Sequence, residues 1–123
     1  MFSRATRASD TVCGYALPAR SLILLSPYVT HRHPALWENP EGFDPERFLP
    51  EREKERPRFA YFPFGGGPRL CIGNQFALME MVLVLATLAS RVRLDLAPGF
   101  PLHESPAITL RPRPGVWVTA ARA

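Results

Sequence analysis

The sequence predicts an α+β chain, with short strands at both ends, a proline-rich middle and one long helix. Three observations carry this. Between His31 and Pro63, prolines at positions 34, 40, 45, 50 and 57 recur too often for a long helix or a paired strand. From Asn74 to Arg91, the run NQFALMEMVLVLATLASR contains neither Pro nor Gly and reads as helix. On either side lie short β-favouring runs bounded by Gly or Pro.

Taken in order, TVC and YALP read as strands flanking a turn at Gly14, and SLILLS as a third strand ended by Pro27. The proline-rich stretch holds one compact knot, PERF, and a run of alternating charge, EREKER (Glu51 to Arg56), predicted to be exposed loop. In the helix, Glu80 is the only charge between Phe76 and Ala89, so apolar residues lie all round it. A helix of that kind is expected to be buried in a larger body. The tail alternates again: VRLDLAP, AITLRP and VWVTAA are predicted to form a small antiparallel sheet, the last two runs separated by Arg113-Pro114-Gly115.

Bulk composition sets limits. At 123 residues the chain is one domain at most, and 46% hydrophobic content is ordinary for a globular core. Its 14 prolines are about twice the average share, which argues for much irregular backbone. Cys13 and Cys71 form no CxxC pair, so neither a zinc site nor a thioredoxin-like motif is supported. Formal charge is +4, and Lys54 is the one lysine among 15 basic residues. That arginine-rich surface is either simply solvated or suited to an acidic partner. No uninterrupted apolar run reaches membrane-spanning length.

The chemistry concentrates in FPFGGGPRLCIG, Phe62 to Gly73. Glycine there marks backbone that turns tightly or approaches another group closely. Arg69, and the N-terminus of the helix that follows, favour a negative sulfur at Cys71. Three readings fit the residues alone. In the first, the glycines merely form a turn into a core helix, with Cys71 a small buried hydrophobe. A phosphate cradle is a second reading, although the Gly-Lys-Ser/Thr ending of a P-loop is missing. The third is a metal or cofactor ligand on a loop that lies flat against a planar group.

Phe64, Gly67, Arg69, Cys71 and Gly73 fill the pattern F-x-x-G-x-R-x-C-x-G. In this the loop resembles the haem-binding loop of the cytochrome P-450 family, the haem-thiolate monooxygenases. Further stretches agree in order: GYALPARSLILLSPYVTHRHP resembles the family's strand pair and H-R-D-P segment, FDPERF its P-E-R-F motif, MEMVLVLATL the helix behind the haem, and SPAITLRPRPGVWV the C-terminal hairpin. The resemblance spans residues 1–123 and implies the C-terminal haem-binding region of a mainly α fold. The family's E-x-x-R helix and oxygen-activating helix are expected upstream of Met1, so Arg47 of PERF is expected to lack its family partners.

Carried over by position, the resemblance makes Cys71 the axial thiolate of a haem b iron and the catalytic residue. Phe64 would pack beside the sulfur, Gly65 and Gly67 would give the backbone room against the porphyrin, and Arg69 and Arg4 would pair with propionates. Backbone N–H groups after Cys71, at Gly73 and the helix start, would hydrogen-bond the sulfur. Ile108 would wall the substrate pocket. His31 matches the family but receives no role, His33 stands where the family has Asp, and His103 is expected in a solvent-facing loop. Cys13 is read as structural, and Trp37 and Trp117 as packing residues.

The implied parent reaction inserts one oxygen atom into a small organic substrate. Electrons would come from NAD(P)H through a ferredoxin-, flavodoxin- or reductase-type partner, with no nucleic acid involved and a cytoplasmic setting. Two other classes stand beside it. One is a truncated, non-catalytic remnant that does not hold haem stably, for which the isolated chain would be inactive. The other is a thiol redox protein using Cys71 directly, which would need a resolving partner that Cys13 is not placed by sequence to provide.

Overall fold

Phe2–Ala5 form strand β1, where no strand was predicted. It pairs antiparallel with β4, Leu22–Leu25, in the register Phe2 to Leu25 and Arg4 to Ile23. The computed structural model describes residues 1–107 and 109–123. These fall into two units, Met1–Cys71 and Ile72–Ala123.

In the first unit, β2 (Asp10–Val12) and β3 (Tyr15–Leu17) form the predicted hairpin. Its two turn residues, Cys13 and Gly14, have φ of 50° and 84°. Positive φ at both central positions suits the right-handed twist of the strands it joins. A one-turn helix α1, Pro27–Thr30, follows, with Ser26 as N-cap accepting the Val29 N–H and Pro27 in the first turn.

PERF is a 3₁₀ turn, Pro45–Phe48, capped by the Asp44 carboxylate accepting from Glu46 N–H at 3.0 Å. Arg47 is held within its own segment: its guanidinium donates to the Asn39 carbonyl at 2.6 Å and lies 3.6 Å from Asp44. The charged run is exposed, as predicted, but it is not loop. Pro50–Glu55 form helix α2. Pro50 opens it, Glu51 and Glu53 sit in its first turn, and Arg52 and Lys54 in its last, the polarity a helix dipole favours. It stops before Pro57.

Among the described residues only Trp37 and Ala60 are buried, at 7% and 2% exposure. Trp37 is the centre of an aromatic cluster. Its indole N–H donates to the Thr30 carbonyl at 3.1 Å, and the rings of His31, Phe48 and Tyr61 lie 6.4, 6.4 and 6.1 Å away. The Arg56 guanidinium covers both Trp37, at 4.7 Å, and Phe48, at 4.9 Å.

The second unit opens with helix α3, Asn74–Ala89, two residues shorter than its predicted span. Its apolar residues surround it, and none is buried. Strand β5, Val92–Leu96, pairs with β8, Val118–Arg122, and β6, His103–Ser105, with β7, Arg111–Arg113. The tail is therefore two separate ladders and not one sheet. Pro112, within β7, has no N–H to offer a second neighbour. His103 is exposed as expected, but on a strand and not in a loop. Ile108 lies outside the described residues.

The chain exposes 10828 Å². Two separate compact bodies of these sizes would expose only about 8,000 Å². Apolar side chains contribute to the excess, notably on α3, where Phe76 and Leu85 are 68% and 66% exposed.

The two tryptophans should behave differently. Trp37→Ala removes the main buried side chain and is expected to cost about 3 kcal/mol. Trp117 is 67% exposed and stacks on Phe100 at 6.1 Å, so Trp117→Ala should cost about 0.5 kcal/mol. Urea unfolding followed by far-UV circular dichroism measures both.

Candidate functional site

The cysteine loop is built from successive backbone hydrogen bonds. Gly65 N–H donates to the Phe62 carbonyl at 3.0 Å, closing a turn with Pro63 at its second position. Gly67–Arg69 then form a 3₁₀ turn, closed by Leu70 N–H to the Gly67 carbonyl at 3.0 Å. Finally Cys71 N–H donates to the Phe64 carbonyl at 3.0 Å. That last bond fastens the two arms together and sets Cys71 opposite Phe64.

Two glycines are needed for their backbone conformation: Gly65 and Gly67 have φ of 79° and 67°, where side chains are rarely tolerated. Gly66 is needed for space, since a Cβ there would stand 2.5 Å from the Phe59 ring. Gly73 is different. It has an ordinary φ of −88° and acts as N-cap residue of α3, its carbonyl accepting Ala77 N–H at 2.9 Å.

Beside the loop lies a cavity of about 460 Å³, within the usual range for small-molecule sites. Its walls are the rings of Phe2, Phe59 and Phe62, the side chains of Leu25 and Arg4, and Gly65 to Gly67. The structure thus gathers Arg4, Gly65 and Gly67 of the predicted site around one space. Arg69, Phe64 and Cys71 do not line it; Arg69 and Cys71 are exposed on the same loop and Phe64 is half-buried. A larger, open and more polar space of about 730 Å³ surrounds Arg47, Asp44 and Arg52, away from the loop.

This arrangement suits a flat apolar group bearing acids. The aromatic walls offer ring faces, the glycines admit close approach, and Arg4 supplies a cation at the edge. Both cysteines are free and exposed, so Cys71 is available as a ligand. Among the described residues no group of three or more His, Cys, Asp or Glu side chains could hold a metal. A metal held chiefly by another group needs only one such side chain.

The structure also adds residues. Phe2, Phe59 and Phe62 line the cavity; Phe62 opens the stretch singled out in the sequence, whereas nothing there marked Phe2 or Phe59 beyond aromatic character. His31 makes a long-range bond: its Nε2 accepts the backbone N–H of Phe62 at 2.9 Å. Burial, and secondarily the charge of Arg32, hold this imidazole below its ordinary pKa. His33 is locally bonded, its Nδ1 accepting Ala35 N–H at 3.2 Å. No helix among the described residues is long and apolar enough to cross a membrane.

A profile of the family described as Cytochrome P-450 matches residues 2–118. Cyclooctatin synthase of Streptomyces melanosporofaciens is 46% identical over 98% of this chain and 24% of its own length. Putative cytochrome P-450 132 of Mycobacterium tuberculosis is 40% identical over 99% of this chain and 26% of its own. Among solved structures, retinoic acid-bound cyanobacterial CYP120A1 superposes with a TM-score of 0.93 at 34% identity, over 98% of this chain and 29% of that one. The chain therefore spans about a quarter of the length of the curated relatives it matches.

The loop's backbone requirement can be measured. Gly67→Ala should destabilise by about 1–2 kcal/mol from the left-handed conformation alone, because a Cβ there meets no neighbour within 4 Å. Gly66→Ala should be milder, since the Phe59 ring is 52% exposed and can swing aside. Urea denaturation midpoints of the two variants test this order.

Proposed function

The chain belongs to the cytochrome P-450 family, and from that premise we propose that it is the cysteine-loop region of a haem-thiolate monooxygenase, with Cys71 as axial ligand of a haem b iron. What supports this most directly is the loop itself: a backbone bond fastens Cys71, which lies outside the cavity lining, to Phe64, and Gly65 and Gly67 of the same loop line an aromatic cavity with Arg4.

In this reading each residue has a physical task. Cys71 would hold the metal as a thiolate, the form in which a cysteine ligates. Arg69 would pair with one propionate, and Arg4, which lines the cavity, is the second candidate for that role. Gly65 and Gly67 keep side chains out of the surface on which the ring lies. Phe2, Phe59 and Phe62 exclude water from that surface. The chemistry supplied by the bound cofactor is insertion of one atom of O2 into a small organic substrate, the other leaving as water with uptake of two electrons and two protons. Electrons would come from NAD(P)H through an acidic redox partner, docked on the arginine-rich face near the loop.

A second reading is favoured by the shortage of buried side chains, only Trp37 and Ala60 among the described residues. On its own, this chain would then keep the family's loop without holding haem stably.

The test is to add haemin to the purified chain, reduce it, admit carbon monoxide and record the Soret band. A thiolate-type red-shifted band that Cys71→Ser abolishes is the expected result. A band of equal position and intensity in Cys71→Ser would refute the ligand assignment, and no specific band in the parent chain would leave the second reading standing. For the partner, Arg69→Glu should slow reduction by an acidic carrier several-fold and flatten its salt dependence. An unchanged salt dependence would count against that face.

A further inference from the structure

We propose that His31 is a positioning residue for the cysteine loop, its Nε2 fixing the backbone of Phe62 where the loop begins. The functional meaning rests on the reading of that loop as the cofactor site.

His31 stands at the foot of a series of hydrogen bonds that ends at Cys71. Its Nε2 accepts from Phe62 N–H at 2.9 Å. The Phe62 carbonyl accepts from Gly65 N–H, and the Phe64 carbonyl from Cys71 N–H, each at 3.0 Å. Phe62 also walls the cavity together with Gly65 and Gly67. Moving the Phe62 peptide would therefore disturb the turn that sets both the glycines and the cysteine arm.

The imidazole is itself held from several sides. Its ring lies 4.8 Å from Tyr61 and 5.2 Å from Phe62, the latter edge-on, and 6.4 Å from Trp37. These contacts leave the ring little freedom to rotate Nε2 away. Because Nε2 accepts, the neutral ring carries its proton on Nδ1.

The bond exists only while His31 is neutral, since an imidazolium nitrogen donates and cannot accept. The groups that face the ring are Arg32, whose guanidinium lies 3.4 Å from Glu41 and over the Tyr28 ring, and the Tyr61 phenol; Arg56 lies beyond, on Trp37. Burial and Arg32 lower the folded-state pKa. The sign follows: stability from this bond is fully present above the unfolded value near 6.5, and is lost as pH falls through the lower folded value.

The test is amide hydrogen exchange at Phe62, read by nuclear magnetic resonance on the 123-residue chain without cofactor. His31→Leu keeps bulk but offers no acceptor; His31→Gln places an amide oxygen near the ε position. Phe62 exchange should rise about five- to tenfold in His31→Leu, the weight of one intramolecular hydrogen bond, and return towards the parent rate in His31→Gln. After correction for intrinsic chemistry, protection should fall on acidification in the parent chain but not in His31→Gln. Equal Phe62 rates in all three chains, or an unprotected Phe62 amide in the parent, would overturn the proposal. The readout needs no haem, so a chain that fails to bind haem still answers it. Where the Soret band forms, His31→Leu should lower its thiolate-type fraction and His31→Gln restore it; an unaltered band in His31→Leu would overturn the link to the loop.

Discussion

Withdrawal of the Trp37 indole from water organises the first unit. An indole removes about 200 Å² of surface on burial, worth about 5 kcal/mol, and no other large side chain there is comparably buried. The surrounding features depend on it. Thr30 ends α1 in position to accept the indole N–H, Phe48 brings the 3₁₀ turn onto the ring, and Arg56 closes the top from the end of α2. Tyr61 packs on the same cluster and leads directly into the cysteine loop. One buried ring thus links three short elements to the segment that carries the chemistry.

Elsewhere local hydrogen bonding does most of the holding. Among the described residues the four two-stranded ladders are bonded between paired strands, and the capped turns and closures of the cysteine loop within seven residues or fewer. The ion pairs, such as Arg52–Asp44 and Arg93–Asp95, are solvent-exposed and add little. Helix α3 is the extreme case: its backbone is satisfied while its apolar surface meets water on every side. Hydrogen bonds specify such a helix, but only burial of that surface would give it firm tertiary placement.

The loop stood out in the sequence because four residue types fill five fixed positions within it, and in the structure two of its glycines have positive φ. The Cys13–Gly14 hairpin was equally legible, since a glycine between short β-favouring runs has few other uses. Strand β1 was not: FSRA has neither alternation nor length, and it exists because Leu22–Leu25 offers a ladder. Helix α2 was hidden by reading alternating charge as solvated loop when Pro50 already marked a helix start. In the tail, the expected strand AITLRP overlaps the described strand Arg111–Arg113, whose place is set by pairing to His103–Ser105. His31 was illegible in principle. Its partner is a backbone N–H 31 positions away, and backbone donors have no signature in sequence.

The tight turn between β2 and β3 has an experimental consequence. It leaves the Cys13 thiol exposed at the tip of a hairpin, in the same chain as the exposed Cys71. Thiol reagents will therefore meet two sulfurs, and a single modification rate will describe neither. The pair carries its own reference, because Cys13 lies outside the loop and reports reagent access alone. The ratio of the two labelling rates, read by peptide mass at one temperature, then follows the environment of Cys71 independently of reagent concentration.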